Sequence, residues 1–197
     1  MSDKPVSEHM SKHRLKPITP LGHDAPEPVT VGAVTIAENP GVALASLAIR
    51  AGQDIPFRAA ARMAGIPLPD PGRAEWGPTW GTIWTGPGQW MVEAPFATHE
   101  DIAAALRPVF DEAASITEQT DGWARFEVTG PDLPALFERL TNFDLRTAGP
   151  GAATRSSIEH VGCLIALRAP GHVTLLGARS SAASLMHALE AAARSVA

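Results

Sequence analysis

The sequence predicts an α+β protein: two successive copies of strand, helix, strand, strand, helix over 29–112 and 113–197, behind a flexible polar tail at 1–28. Three echoes in the same order carry that expectation. "GQDIP" at 52–56 matches "GPDLP" at 130–134, and "PGQWMV" at 87–92 matches "PGHVTL" at 170–175. The helical stripe Ile102, Ala105, Leu106, Val109 returns as Leu185, Met186, Leu189, Ala193. A period of this length is too long for a solenoid and suits paired half-domains sharing a sheet.

In chain order, residues 1–28 hold Pro17, Pro20, Pro26 and Pro28, equal numbers of acidic and basic residues and no apolar run, the make-up of a tail rather than a signal peptide. The apolar stretch 41–50 reads as a strand leading into a helix at Asp54. "GIPLPDPG" at 65–72 is irregular, as is its counterpart "RTAGPGAAT" at 146–154, so loops at these two places are expected on one face. Pro87-Gly88 turns a hairpin. Thr98 is a candidate cap for the helix near 102, and Ser180 or Ser181 for the last one. In the second copy Ala124, Phe126 and Val128 alternate with Trp123, Arg125 and Glu127, the period of a half-buried strand. Leu133, Leu136, Phe137 and Leu140 then fall at helical spacing, with Asp132 as N-cap and Pro134 tolerated in the first turn.

Bulk properties narrow the function. With 197 residues, 45% of them hydrophobic, the chain builds a core without staples. Its formal charge of −5 falls entirely on residues 29–197, the wrong sign for a nucleic-acid groove. Gly, Pro or charge interrupts every apolar run short of a membrane span of about 18 residues. The single cysteine, Cys163, allows no internal disulfide, so a cytoplasmic location is expected.

Catalytic patterns fail one by one. "HEDIA" at 99–103 begins like a zincin helix but has alanine where the second imidazole must stand. His9, His13 and His23 fall in the tail, and His160, His172 and His187 are scattered. Cys163 sits in "VGCLIAL", the setting of a buried, inert thiol. No Gly-x-Ser-x-Gly elbow, phosphate loop or dinucleotide turn occurs. Trp76, Trp80, Trp84 and Trp90 cluster, and either pack in the core or form a contact surface, Trp76 lying in a Gly/Pro-rich loop. Asp121-Gly122 is a turn ahead of the strand that Trp123 begins, with Trp123 a candidate contact. Arg155, Glu159, Arg168 and Arg179 lie on the second copy's strands and either face solvent or make a bidentate contact to a carboxylate on a partner.

"WTGPGQWMV" (84–92), "EQTDGWARFEVTGPDLPALFERLTNFDL" (118–145) and "TRSSIEHVGCLIALRAPGHVTLLGARSSAASLMHAL" (154–189), in that order, resemble the gamma subunit of heterotetrameric sarcosine oxidase. The resemblance implies two ferredoxin-like βαββα halves, similar to the folate-binding domain of T-proteins. It implies a non-catalytic subunit without a cofactor, assembled with alpha, beta and delta subunits that hold FAD, FMN, NAD, tetrahydrofolate and zinc. Such a complex oxidatively demethylates sarcosine to glycine, with hydrogen peroxide and a one-carbon unit passed to tetrahydrofolate. Candidate interface residues are Trp76, Trp80, Asp121, Trp123, Arg155, Glu159 and Arg179. A stand-alone folate-binding protein and a self-assembling structural module are the alternatives.

Overall fold

In the computed structural model, which describes residues 16–197, the alternating apolar runs become strands and the three-to-four-spaced runs become helices. In order these are β1 (Val29–Val31), β2 (Val34–Glu38), β3 (Val42–Ile49), α1 (Asp54–Met63), β4 (Ala74–Trp76), β5 (Gly81–Gly86), β6 (Gln89–Pro95), α2 (Ile102–Phe110), β7 (Ala114–Glu118), β8 (Trp123–Thr129), α3 (Leu133–Phe137), β9 (Ala153–Ile158), β10 (Val161–Ala169), β11 (His172–Ala178) and α4 (Ala182–Val196). They form a six-stranded sheet, β1-β2-β8-β11-β10-β9, and a five-stranded sheet, β4-β5-β6-β3-β7.

The single shared sheet is therefore corrected to two, and the reason lies in the side chains. Successive residues of a strand point to opposite faces. Ala43, Leu47, Trp90 and Val92 of the five-stranded sheet turn to α1 and α2 and close over Phe57, Leu106 and Phe110. Phe126, Val128, Ile165 and Leu175 of the six-stranded sheet turn to α3 and α4 and meet Leu133, Phe137, Leu185 and Leu189. That leaves Leu44, Ile83 and Met91 on one sheet and Leu164, Ala166 and Leu176 on the other, and these pack together. Each sheet thus covers the other's remaining apolar face, and the layers run helix, sheet, sheet, helix.

The segment β3-α1-β4-β5-β6-α2 and the segment β8-α3-β9-β10-β11-α4 have the same element order and the same strand order, β4-β5-β6-β3 and β9-β10-β11-β8. Each holds one strand more than expected. β4 is three residues long and β9, "ATRSSI", is polar enough to read as loop. A strand is also exchanged: β2 pairs with β8, and β7 with β3, so each sheet draws on both sides of residue 112. The loops after α1 and α3 do meet, through an Arg73–Ala152 bridge and a hydrogen bond from Ala74 N to Gly151 O of 2.7 Å.

Local chemistry departs from expectation in a few places. Asp101, not Thr98, caps α2, its carboxylate accepting from Ala104 N at 2.8 Å. Asp132 and Ser181 occupy N-cap positions without side-chain bonds, and α3 ends at Phe137, before Leu140. Pro87-Gly88 and Pro170-Gly171 turn as the sequence implies, with glycine φ values of 66° and 74°. The tail is tethered well before residue 28: Thr19 is buried, Leu21 packs on the core, and Leu21 N donates to Glu38 Oε1 at 2.8 Å. Residues 1–15, with His9 and His13, lie outside the described residues.

Candidate functional site

Strand parity carries charge into the space between the sheets. Glu93 shares its face of β6 with Met91, Arg168 shares its face of β10 with Leu164 and Ala166, and Arg125 and Glu127 lie on the inner face of β8. The half-buried reading of β8 is corrected accordingly. Both its faces are covered, and Arg125 is only 5% exposed.

These groups satisfy one another. Arg125 donates through Nη1 to Glu93 and through Nε to Glu127 Oε1 at 2.8 Å. Arg168 donates to the other oxygen of Glu93 and, through Nε, to Thr174 Oγ1 at 2.9 Å. Thr174 Oγ1 donates to Glu127 Oε2 at 2.7 Å, and His172 Nε2 stands 2.9 Å from the same oxygen. Trp76 donates its indole N–H to Glu93 Oε1 at 2.7 Å while the Arg168 guanidinium lies 4.1 Å over its ring. Trp76 thus ends a strand and packs between the sheets, rather than lying in an open loop.

Burial by itself would raise the Glu127 carboxyl, but Arg125, Thr174 and His172 outweigh it and hold the group below its ordinary range. Burial likewise opposes the charge on Arg125, and Glu93 and Glu127 overcome it, raising the guanidinium further. For Arg168 burial prevails, with repulsion from Arg125 added, so its pKa is lowered despite Glu93. Every carboxylate oxygen of Glu93 and Glu127 already accepts a hydrogen bond. The arrangement clamps the sheets; it presents no unengaged carboxylate as a base.

Two cavities adjoin the clamp. One, of about 480 Å³, opens between Trp76, Pro78, Arg168, His172 and Asn39. The other, of about 160 Å³, is walled by Val42, Leu44, Phe96, Trp123 and the Pro17–Ile18 segment. Arg125 lines both. The smaller one gathers three of the residues singled out in the sequence: Asp121, Trp123 and Arg179. Arg179 donates to Ile18 O at 2.8 Å and stands 3.9 Å from the exposed Asp121 carboxylate. Asp121-Gly122 closes a short 3-10 turn, and Trp123 donates to Gln119 Oε1 at 3.0 Å as it enters β8.

The remaining candidates lie elsewhere. Trp80 precedes β5 and packs edge-on against His99, ring centroids 4.8 Å apart. Arg155 on β9 reaches across to Thr85 O at 3.4 Å, and Glu159 sits with φ 48° in the β9–β10 turn. Sequence reasoning missed Glu93, Arg125, Glu127 and His172. The available signal was β10, apolar at both parities up to Arg168, which marks a strand buried on both faces. Cys163 is buried, and burial pushes its thiol up to about 11. Among the described residues no three His, Cys, Asp or Glu are placed to hold a metal ion, and no helix is long and apolar enough to cross a membrane.

Two facing antiparallel sheets, helix-backed outside and linked by an exchanged strand, define an α+β fold of the sarcosine oxidase and T-protein type. The chain is similar to one from the heterotetrameric sarcosine oxidase of Corynebacterium sp. U-96, solved in complex with pyrrole 2-carboxylate. That match has TM-score 0.74 and 18% identity over 84% of this chain and 87% of that one. It is also similar to the glycine cleavage system aminomethyltransferase T of Bartonella henselae, with TM-score 0.57, 12% identity and 77% of this chain covered. The match takes in 44% of that enzyme, so this chain spans less than half its length. No protein-family model and no curated protein matches the sequence. At these identities the likeness is one of fold.

Proposed function

We propose that this chain is the small, non-catalytic gamma-type subunit of a heterotetrameric sarcosine oxidase. The observation that carries the reading is the nearly end-to-end fold likeness to the Corynebacterium chain, 84% of one against 87% of the other. A repeated strand order supports it: β7-β3-β6-β5 and β2-β8-β11-β10 each follow the order of a ferredoxin-like unit, the fourth strand of the second unit being β2, which precedes the rest of that unit in the chain. In this reading alpha, beta and delta subunits hold FAD, FMN, NAD, tetrahydrofolate and zinc. The complex converts sarcosine to glycine and hydrogen peroxide and passes the one-carbon unit to tetrahydrofolate. The gamma-type chain supports its neighbours through a clamped double sheet, with Asp121, Trp123 and Arg179 in the contact.

The test is purification of the tagged chain from the cells that make it, in mild salt, with an absorption spectrum and a sarcosine oxidation assay of what co-elutes. Larger yellow partners that oxidise sarcosine are expected. A colourless chain eluting at its own mass overturns the reading. A second reading, a folate-binding protein acting alone, draws on the 480 Å³ cavity beside Trp76, Arg168 and His172. Saturable quenching of tryptophan fluorescence by tetrahydrofolate, lost in Arg168→Ala, is its expected signature.

A further inference from the structure

Helix α1 carries an apolar stripe on the wrong side. Its inner face is complete: Phe57 and Ala61 are buried against β6 and α2. Yet Ile55 is 84% exposed and Met63 is 89% exposed, against 53% for Ile18, the next most exposed large hydrophobic among the described residues. Ile55, Ala59 and Met63 stand at i, i+4 and i+8, which aligns them along one side of the helix. Arg58 and Arg62 are exposed beside them, and among the described residues neither forms an ion pair.

We propose that this face of α1 is a docking surface for an apolar, carboxylate-bearing segment of a different polypeptide; the inference rests on the subunit reading above. Charge chooses the occupant. A second copy placed two-fold on the same face brings four guanidiniums together with only the two Asp54 carboxylates of the paired helices, a contact with excess positive charge. A segment with aliphatic residues flanked by Asp or Glu instead covers Ile55 and Met63 and gives both guanidiniums bidentate partners. With Arg58 and Arg62 against the single carboxylate of Asp54, this face is net basic on a chain of net charge −5, so carboxylate-rich partners are steered to it and away from the acidic remainder. Methionine at position 63 suits such a contact, because its unbranched, polarisable side chain adapts to the surface it meets.

The test uses the assembled protein purified as above, with a photo-crosslinking amino acid at position 63. The expected product joins this chain to a larger subunit at a segment holding Asp or Glu among aliphatic residues. Arg58→Glu with Arg62→Glu lowers its yield about tenfold or more. Ile55→Glu has the same effect with the far-ultraviolet circular dichroism melt unchanged, since its side chain is largely in solvent. Co-elution with flavin-bearing partners but no product at position 63 overturns this inference and leaves the subunit reading intact. A product with a second copy of the chain overturns the choice of occupant. A chain that elutes alone and yields no product overturns both.

Discussion

Replacing Glu93 by glutamine removes one negative charge from the space between the sheets while keeping the side chain's shape. Glu93 is 5% exposed and accepts from Arg125, Arg168 and Trp76. Glutamine keeps one acceptor oxygen, but its NH2 then faces a guanidinium N–H, donor against donor. Each hydrogen bond to a charged group contributes about 1.5–3 kcal/mol, and Arg125 retains Glu127 as its second partner. Glu93→Gln is therefore expected to destabilise the fold by about 3 kcal/mol, at the lower end for broken buried pairs. Urea unfolding followed by tryptophan fluorescence and circular dichroism measures it. The double variant Glu93→Gln with Arg125→Met should lose at least about 1 kcal/mol less than the two single losses combined, because the groups are in contact. A Glu93→Gln loss below about 1 kcal/mol, or simple additivity, would mean that water screens these charges as it does surface pairs, and would refute the clamp.

Three further outcomes follow from the same geometry. Because Glu127 is held below its ordinary 4.5, its contribution is fully present above that pH and is lost as pH falls through the lower folded-state value; Glu127→Gln should show a flatter acid limb in stability against pH, and an unchanged limb counts against it. At Gly177 a Cβ would stand 2.1 Å from Leu185 Cδ1 on α4, so Gly177→Ala should cost about 1–3 kcal/mol by overpacking. Adding Leu185→Ala should make the combined loss in thermal midpoint less than additive, and a Gly177→Ala midpoint equal to that of the parent chain would contradict the close contact. The Cys163 thiol, raised to about 11 from an ordinary 9.0, favours the folded state fully below pH 9.0 and loses that contribution as pH rises toward 11. Its reaction with a thiol dye near pH 8 should track unfolding, and rapid stoichiometric labelling of the native chain would show the thiol to be accessible.

Much of this architecture was legible beforehand because it is local. The Pro-Gly turns, the stripe on α4 and the strand starting at Trp123 each depend on a few neighbouring residues, and each formed where its pattern stood. The clamp was not legible. Arg125 and Glu127 alternate with apolar residues, and the same alternation describes a strand facing water and one facing a second sheet. Asp121, Trp123 and Arg179 were singled out for separate reasons, and the turn before β8 and the entry to α4 bring them to one cavity. Trp80, Arg155 and Glu159 remained apart from it, since β5, β9 and the β9–β10 turn lead to other surfaces.

By itself the sequence determined the α+β class, the order of helices and hairpins, and the burial of Cys163, because periodicity and turn chemistry act over a few residues. Only the tertiary structure decided that there are two sheets rather than one, that β2 and β7 change places, and that Glu93, from one sheet, meets Arg125 and Arg168, from the other. Strand partners and facing layers are chosen by which distant surfaces bury each other best. A charge deep in a strand is committed only when an opposite charge, far away in the chain, arrives to hold it.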